Sequence, residues 1–205
     1  RPRSEAAVLA VLCVVALAAV AVTLGALVVL HLAPSGLSPL RDPVSAYGIS
    51  RFSLLYRAQT LGTAVSAAAL AVALPVAGVG AVTAAVIALI VLAVTRGVIS
   101  WVPMDAEGAP RTSTGRTHNL LAFGAFAAAS VGGFMVGIAF GSTGGLAVAA
   151  PLATTFGWIM SVASALTILA SLIGALRPIF GLAERLIYVG MLAWLATTAV
   201  ALMGR

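Results

Sequence analysis

Residues 6–31 read AAVLAVLCVVALAAVAVTLGALVVLH, with no Asp, Glu, Lys or Arg among them. A helix that crosses a bilayer needs about 20 mostly apolar residues, and this run exceeds that. It also exceeds a signal-peptide core of about 7–15 residues, so it is expected to be a retained helix. Pro34 and Pro39 follow and stop it. Five more stretches of similar character follow: residues 53–74, 79–101, 118–140, 152–176 and 179–203. Pro75, Pro103 and Pro178 punctuate them. The expected fold is all-α, a polytopic membrane protein with six spanning helices in one domain over residues 1–205.

Composition points the same way. Of 205 residues, 62% are hydrophobic and 8% charged. Soluble domains carry about 25% charged residues, and a water-facing surface cannot be built from so few. The solvent over most of the surface must be lipid. The net charge is +6, and all eleven basic residues are Arg. They are scattered rather than clustered with aromatics, which argues against a nucleic-acid partner. A chain rich in Ala, Val, Gly and Arg without Lys suits a GC-rich bacterial genome. The one cysteine, Cys13, permits no intrachain disulfide and reads as a buried small hydrophobe.

The connections alternate. Three are polar: residues 32–50, residues 102–117 and the Arg177–Pro178 corner. Two are small and uncharged, residues 76–80 and 141–145. Six spans place the polar three on one side of the membrane and the bland two on the other, with both termini. The ionic groups Arg41, Asp42, Arg51, Asp105, Glu107, Arg111, Arg116, His118, Arg177, Glu184 and Arg185 then gather at one face. Counting arginines puts that face in the cytoplasm, whereas Arg1 and Arg3 beside the first helix argue for cytoplasmic termini. Polar loops all on one side disfavour an inverted-repeat transporter.

Ionisable residues inside spans cost a few kcal/mol each and usually face a bundle interior or cavity. Arg57, Arg96, Glu184 and Arg185 are of this kind, all toward the polar side. With His118, Asp42 and Asp105 they outline a polar crater walled by the second, third, fourth and sixth helices. Arginines there would clamp a phosphate or carboxylate, and His118 could exchange a proton near neutral pH. The plainer reading is that the arginines snorkel to the interface or tie helices together. His31, His118, Asp42 and Asp105 offer imidazole and carboxylate metal donors, or two haem axial ligands, without diagnostic spacing. No metal or other cofactor is expected. On the fifth helix Ser164, Thr167 and Ser171 share a face, with Ser161 nearby. They line a polar path or, more simply, bond backbone carbonyls and allow close packing. Gly133-Phe-Met-Val-Gly137 marks close packing within the bundle or in a dimer, and Trp101 sits where an interfacial aromatic belongs. Nucleotide-binding, zincin and G-x-S-x-G patterns are absent.

The polar stretches together resemble a known pattern. Asp42-Pro-Val-Ser-Ala-Tyr47 follows the first helix and Val102-Pro-Met-Asp105 ends the third. Thr114-Gly-Arg-Thr-His118 opens the fourth, Gly181-Leu-Ala-Glu-Arg185 opens the sixth, and Trp194 lies further along it. In order and spacing they resemble the prokaryotic six-helix membrane family catalogued as domain of unknown function 998, over nearly the whole chain. The resemblance implies the fold, a cytoplasmic N-terminus and an outward-facing crater, and it implies no activity. Members typically carry basic residues in the second and fourth connections, and this chain has none there. Asp42, Ser45, Asp105, His118, Glu184 and Arg185 match the family pattern, and Arg57 and Arg96 join them from the reading of the residues.

Three functions are compatible with these features. The first is binding of a membrane lipid or small amphiphilic or anionic ligand in a one-sided polar pocket of a plasma-membrane protein with cytoplasmic termini. The second is an enzyme acting on lipid head groups, with His118 as general acid or base, Asp105 as its orienter or a metal ligand, and Arg57 and Arg185 as an anion clamp. It requires His118 and Asp105 within hydrogen-bond reach or on one metal. The third is an accessory subunit covered by partner membrane chains, which needs no cavity.

Overall fold

In a computed structural model of the chain, which describes residues 2–205, Pro2 opens a 30-residue helix, α1 (Arg3–Leu32). It ends at Ala33, whose extended backbone (φ −69°, ψ 143°) suits a residue followed by proline. Residues 33–52 form a polar loop containing a 3-10 turn, Val44–Ile49. Five further helices follow: α2 (Ser53–Val76), α3 (Thr83–Ile99), α4 (Ser113–Gly141), α5 (Ala150–Leu172) and α6 (Phe180–Met203). No strand occurs among the described residues.

The boundaries differ from the sequence reading where capping or turn chemistry decides. α4 starts five residues before His118, because Thr112 caps it: the Thr112 hydroxyl accepts from Gly115 N at 3.0 Å. α5 stops at Leu172, and residues 174–179 form a separate 3-10 turn through Pro178. α3 is shorter than expected. Residues 77–82 turn through Gly78 (φ 63°) and Ala81 (φ 51°), left-handed positions that a helix cannot contain. Among the described residues five helices are long and apolar enough to cross a membrane; α3, with 17 residues, falls just short by length. At 1.5 Å per residue it still spans about 26 Å of a hydrocarbon core about 30 Å thick. The fold is an all-α membrane bundle, and the sixth crossing rests on this shorter helix.

Each helix packs mainly on its neighbours in sequence, α6 closes the ring onto α1, and α6 also touches α2 and α4. Apolar side chains such as Val11, Val94, Trp158 and Val200 face outward on all sides. In lipid such outward faces gain nothing by helix association, so close backbone contact must hold the bundle. A Cβ at Gly62 of α2 would lie 2.8 Å from the Ala19 carbonyl oxygen of α1. A Cβ at Gly133 of α4 would lie 2.7 Å from Gly157 Cα of α5, so the Gly133–Gly137 motif packs inside the bundle.

Hydrogen bonds between connections establish the two ends. At one end Leu182 N donates to Leu40 O (3.1 Å), Ser45 Oγ to Met104 Sδ (3.1 Å) and Arg177 to Glu107 (2.9 Å). The three polar connections therefore meet. At the other end Gly80 N donates to Thr143 Oγ1 (3.3 Å) and Arg205 reaches the Gly144 carbonyl. The bland connections meet there with the C-terminus, as the even number of spans requires.

Candidate functional site

At the polar end a cavity of about 420 Å³ opens between α4, α5 and the start of α6, roofed by Pro43 and Ser45 of the first loop. That size lies within the usual range for a small-molecule site. Phe123, Phe126, Ala127, Ile168 and Phe180 line its apolar part. Phe123 is 60% exposed and Ile168 44%, so the cavity has a lateral mouth on the lipid-facing surface of α4 and α5. Its polar lining is Ser45, His118, Asn119, Ser164, Thr167, Ser171 and Glu184.

Most of these polar groups have defined partners. Glu184 is buried in the first turns of α6, and its Oε2 accepts from Val44 N at 2.7 Å, which pins the first loop to α6. His118 is buried in the second turn of α4, with Nδ1 2.7 Å from the Val102 carbonyl. A carbonyl only accepts, so Nδ1 carries the hydrogen and Nε2 is left to accept in the neutral ring. Thr167 and Ser171 donate to the carbonyls of Ala163 (2.8 Å) and Ile168 (2.6 Å), and Ser45 donates to Met104. Those hydroxyl hydrogens are engaged and their lone pairs are not. Ser164 Oγ differs: it is buried without any partner. The lining is therefore mostly acceptors, with one orphaned hydroxyl and the Asn119 amide.

The structure separates other residues that the sequence reading grouped. Glu184 and Arg185 are adjacent on a helix, so they point about 100° apart. Glu184 enters this cavity, whereas Arg185 turns toward α1 and bonds His31 Nε2 (2.7 Å), the Asp42 carbonyl (2.8 Å) and the Gly181 carbonyl (2.9 Å). Arg57 lies over the face of Trp101 at 4.6 Å, an interfacial snorkelling position outside the cavity. Arg57 and Arg185 thus form no common anion clamp. Asp42 uses Oδ2 to accept from Ser38 N (2.6 Å) within its own loop.

Asp105 accepts from Thr112 N (3.0 Å) and Thr112 Oγ1 (2.6 Å), completing the α4 cap. These bonds hold its carboxyl below the usual Asp range. The cap interaction is therefore present above that range and is lost as pH falls through the lowered value. His118 bonds Val102 rather than Asp105, so the pairing required of a head-group enzyme is not assembled. Among the described residues no three His, Cys, Asp or Glu side chains come together for a metal. His31 and His118 lie in different cavities.

Arg96 lies behind this cavity and is 1% exposed. Its Nη2 donates to Gln59 Oε1 (2.8 Å) and Tyr188 OH (3.0 Å), and its guanidinium sits 5.0 Å from the Tyr188 ring centre. No carboxylate pairs with it among the described residues, so an amide, a phenol and a π face hold the buried charge. Phe126 packs edge-on against Tyr188 (6.1 Å) and separates this core from the cavity.

A family model described as "Protein of unknown function (DUF998)" matches residues 5–201, nearly the whole chain. The chain belongs to the DUF998 family. No curated protein and no solved structure matches it. Of the six positions that the sequence resemblance singled out, Ser45, His118 and Glu184 line the cavity, Asp42 and Asp105 shape the loops beside it, and Arg185 serves the α1 side. The sequence reading left out Asn119, and it gave Ser164, Thr167 and Ser171 a polar path only as the alternative to bonding backbone carbonyls. It also missed Gln59, the chain's single glutamine, although an amide in mid-helix signals a buried partner.

Proposed function

We propose that this membrane protein binds an amphiphile whose head group donates hydrogen bonds, an ammonium or a hydroxyl, in the cavity between α4, α5 and α6. The observation that carries the reading is the cavity's donor–acceptor balance. Glu184, His118 Nε2, Ser45, Thr167 and Ser171 all offer lone pairs, and no arginine lines the space. An anionic head group would meet the Glu184 carboxyl and few donors. An ammonium group would be drawn to Glu184 and would also satisfy the orphaned Ser164 hydroxyl by donating to it. The apolar wall and the lateral mouth at Phe123 and Ile168 supply a path for an acyl chain from the bilayer. A subunit sealed by partner chains needs no such cavity, and binding needs no covalent step.

The test is lipid retention by the full chain, read by native mass spectrometry in nanodiscs of equal phosphatidylethanolamine and phosphatidylcholine. The quaternary choline head has no hydrogen-bond donor. Wild type is expected to retain the ethanolamine lipid preferentially. Ser164→Leu, which fills the cavity without touching Glu184, is expected to lower that retention about tenfold, equivalent to about 1.4 kcal/mol. Equal retention of both lipids by wild type, or undiminished retention by Ser164→Leu, would contradict the reading.

A further inference from the structure

On another face of α6 a second cavity of about 430 Å³ runs between α6 and α1, and it differs in kind from the first. Its length is apolar: Leu24, Leu27, Val28, Val189 and Leu192. Leu24 is 53% exposed, Val28 48% and Val189 64%, so the groove lies open along the bilayer-facing surface. Its polar end holds His31 and Arg185.

The hydrogen bonds at that end give the arginine no ion-pair partner among the described residues. Arg185 Nε must donate, so His31 Nε2 accepts. His31 Nδ1 is 2.6 Å from the Leu27 carbonyl and therefore carries the ring hydrogen. The ring thus donates to Leu27 and accepts from Arg185, and it brings no negative charge. Arg185 Nη1 is held by two carbonyls, Asp42 and Gly181. Nη2 is buried and makes no hydrogen bond. No carboxylate lies within ion-pair distance of Arg185 among the described residues, and the Glu184 carboxylate lines the other cavity.

We propose that this groove is a second lipid site, selective for an anionic phospholipid of the surrounding bilayer: an acyl chain lies along Leu24, Val28 and Leu192, and a phosphate oxygen accepts from Arg185 Nη2. A guanidinium with a free donor at the end of a lipid-open apolar groove is complementary to that ligand in both charge and shape. The site is independent of the ammonium-binding cavity and would stand if that reading failed.

The experiment uses the full chain in nanodiscs of phosphatidylcholine with a minor fraction of phosphatidylglycerol, and native mass spectrometry counts retained lipid. Wild type is expected to enrich phosphatidylglycerol about tenfold over its share of the bilayer. Arg185→Met is expected to abolish the enrichment. Because Arg185 also ties down the first loop, Val28→Trp serves as a second variant: it fills the groove, leaves Arg185 in place and should abolish the enrichment too. Arg57→Gln removes a cation outside both cavities and should leave the enrichment unchanged, as should Ser164→Leu. Enrichment that survives both Arg185→Met and Val28→Trp would overturn the proposal. So would enrichment that falls equally with Arg57→Gln, or inorganic phosphate at millimolar concentration displacing the bound lipid, which would mark a free-anion site with no role for the groove.

Discussion

Gly133→Val is expected to prevent recovery of a folded, monodisperse protein, while Gly25→Val is recovered like wild type. A Cβ at Gly133 would lie 2.7 Å from Gly157 Cα and 2.8 Å from Gly157 N, both backbone atoms with no rotamer to move into. The only relief is to push α4 and α5 apart. Overpacking a core costs about 1–3 kcal/mol, and this case also forfeits the van der Waals contact on which helix association in lipid depends. A loss of about 3 kcal/mol is expected, a large fraction of the usual 5–15 kcal/mol for a whole domain. Gly25 has nothing within 4 Å of its would-be Cβ and controls for adding bulk to a spanning helix. Fluorescence-detected size exclusion after mild solubilisation reads the result. Equal recovery of the two variants would show that the α4–α5 seam, and the cavity it borders, are wrongly placed.

The second large effect belongs to Glu184. Glu184→Ala strips the buried Val44 N–H of its acceptor at 2.7 Å and frees the first loop from α6. An orphaned buried donor costs about 1–3 kcal/mol, so the thermal midpoint should fall by several degrees. Glu184→Gln keeps a carbonyl oxygen for Val44 and should recover most of that loss. It does not restore a carboxylate to the cavity, so its preference for the ethanolamine lipid over the choline lipid should remain at least about tenfold weaker than wild type. The pair separates two roles of one side chain: the midpoint follows the Val44 bond, and lipid choice follows the carboxylate oxygen left to accept from an ammonium N–H. If Glu184→Gln lost stability as fully as Glu184→Ala yet kept wild-type lipid choice, Glu184 would be a loop anchor only.

The large features of this molecule are legible in its sequence because lipid leaves few options. Predominantly apolar runs of about 20 residues read as spanning helices, and alternate connections then fall at one end. The Gly133–Gly137 spacing announced a close seam, though not whether it lay inside one chain. Side-chain direction was not legible. Glu184 and Arg185 read as one polar pair but serve different faces of α6, and Arg57, which looked like a pocket residue, finds the ring of Trp101. Asp105 and His118 are brought to neighbouring positions by their loop, yet each is taken by a nearer backbone or hydroxyl partner. Ser164 sits on the same helix face as Thr167 and Ser171, which bond backbone as hydroxyls in such helices usually do. Ser164 bonds nothing, a matter of side-chain direction that the pattern alone does not specify.

The central claim is that the space beside Ser164 and Glu184 is filled in the membrane by a lipid head group with its chain leaving past Phe123 and Ile168. Photo-crosslinking measures this most directly, using a phosphatidylethanolamine with a diazirine on the first acyl carbons and peptide mapping of the adduct. The expected result is adducts concentrated at Phe123, Phe126 and Ile168, reduced about tenfold by Ser164→Leu. Adducts spread evenly over outward residues such as Val94 and Trp158, with no change in Ser164→Leu, would contradict it.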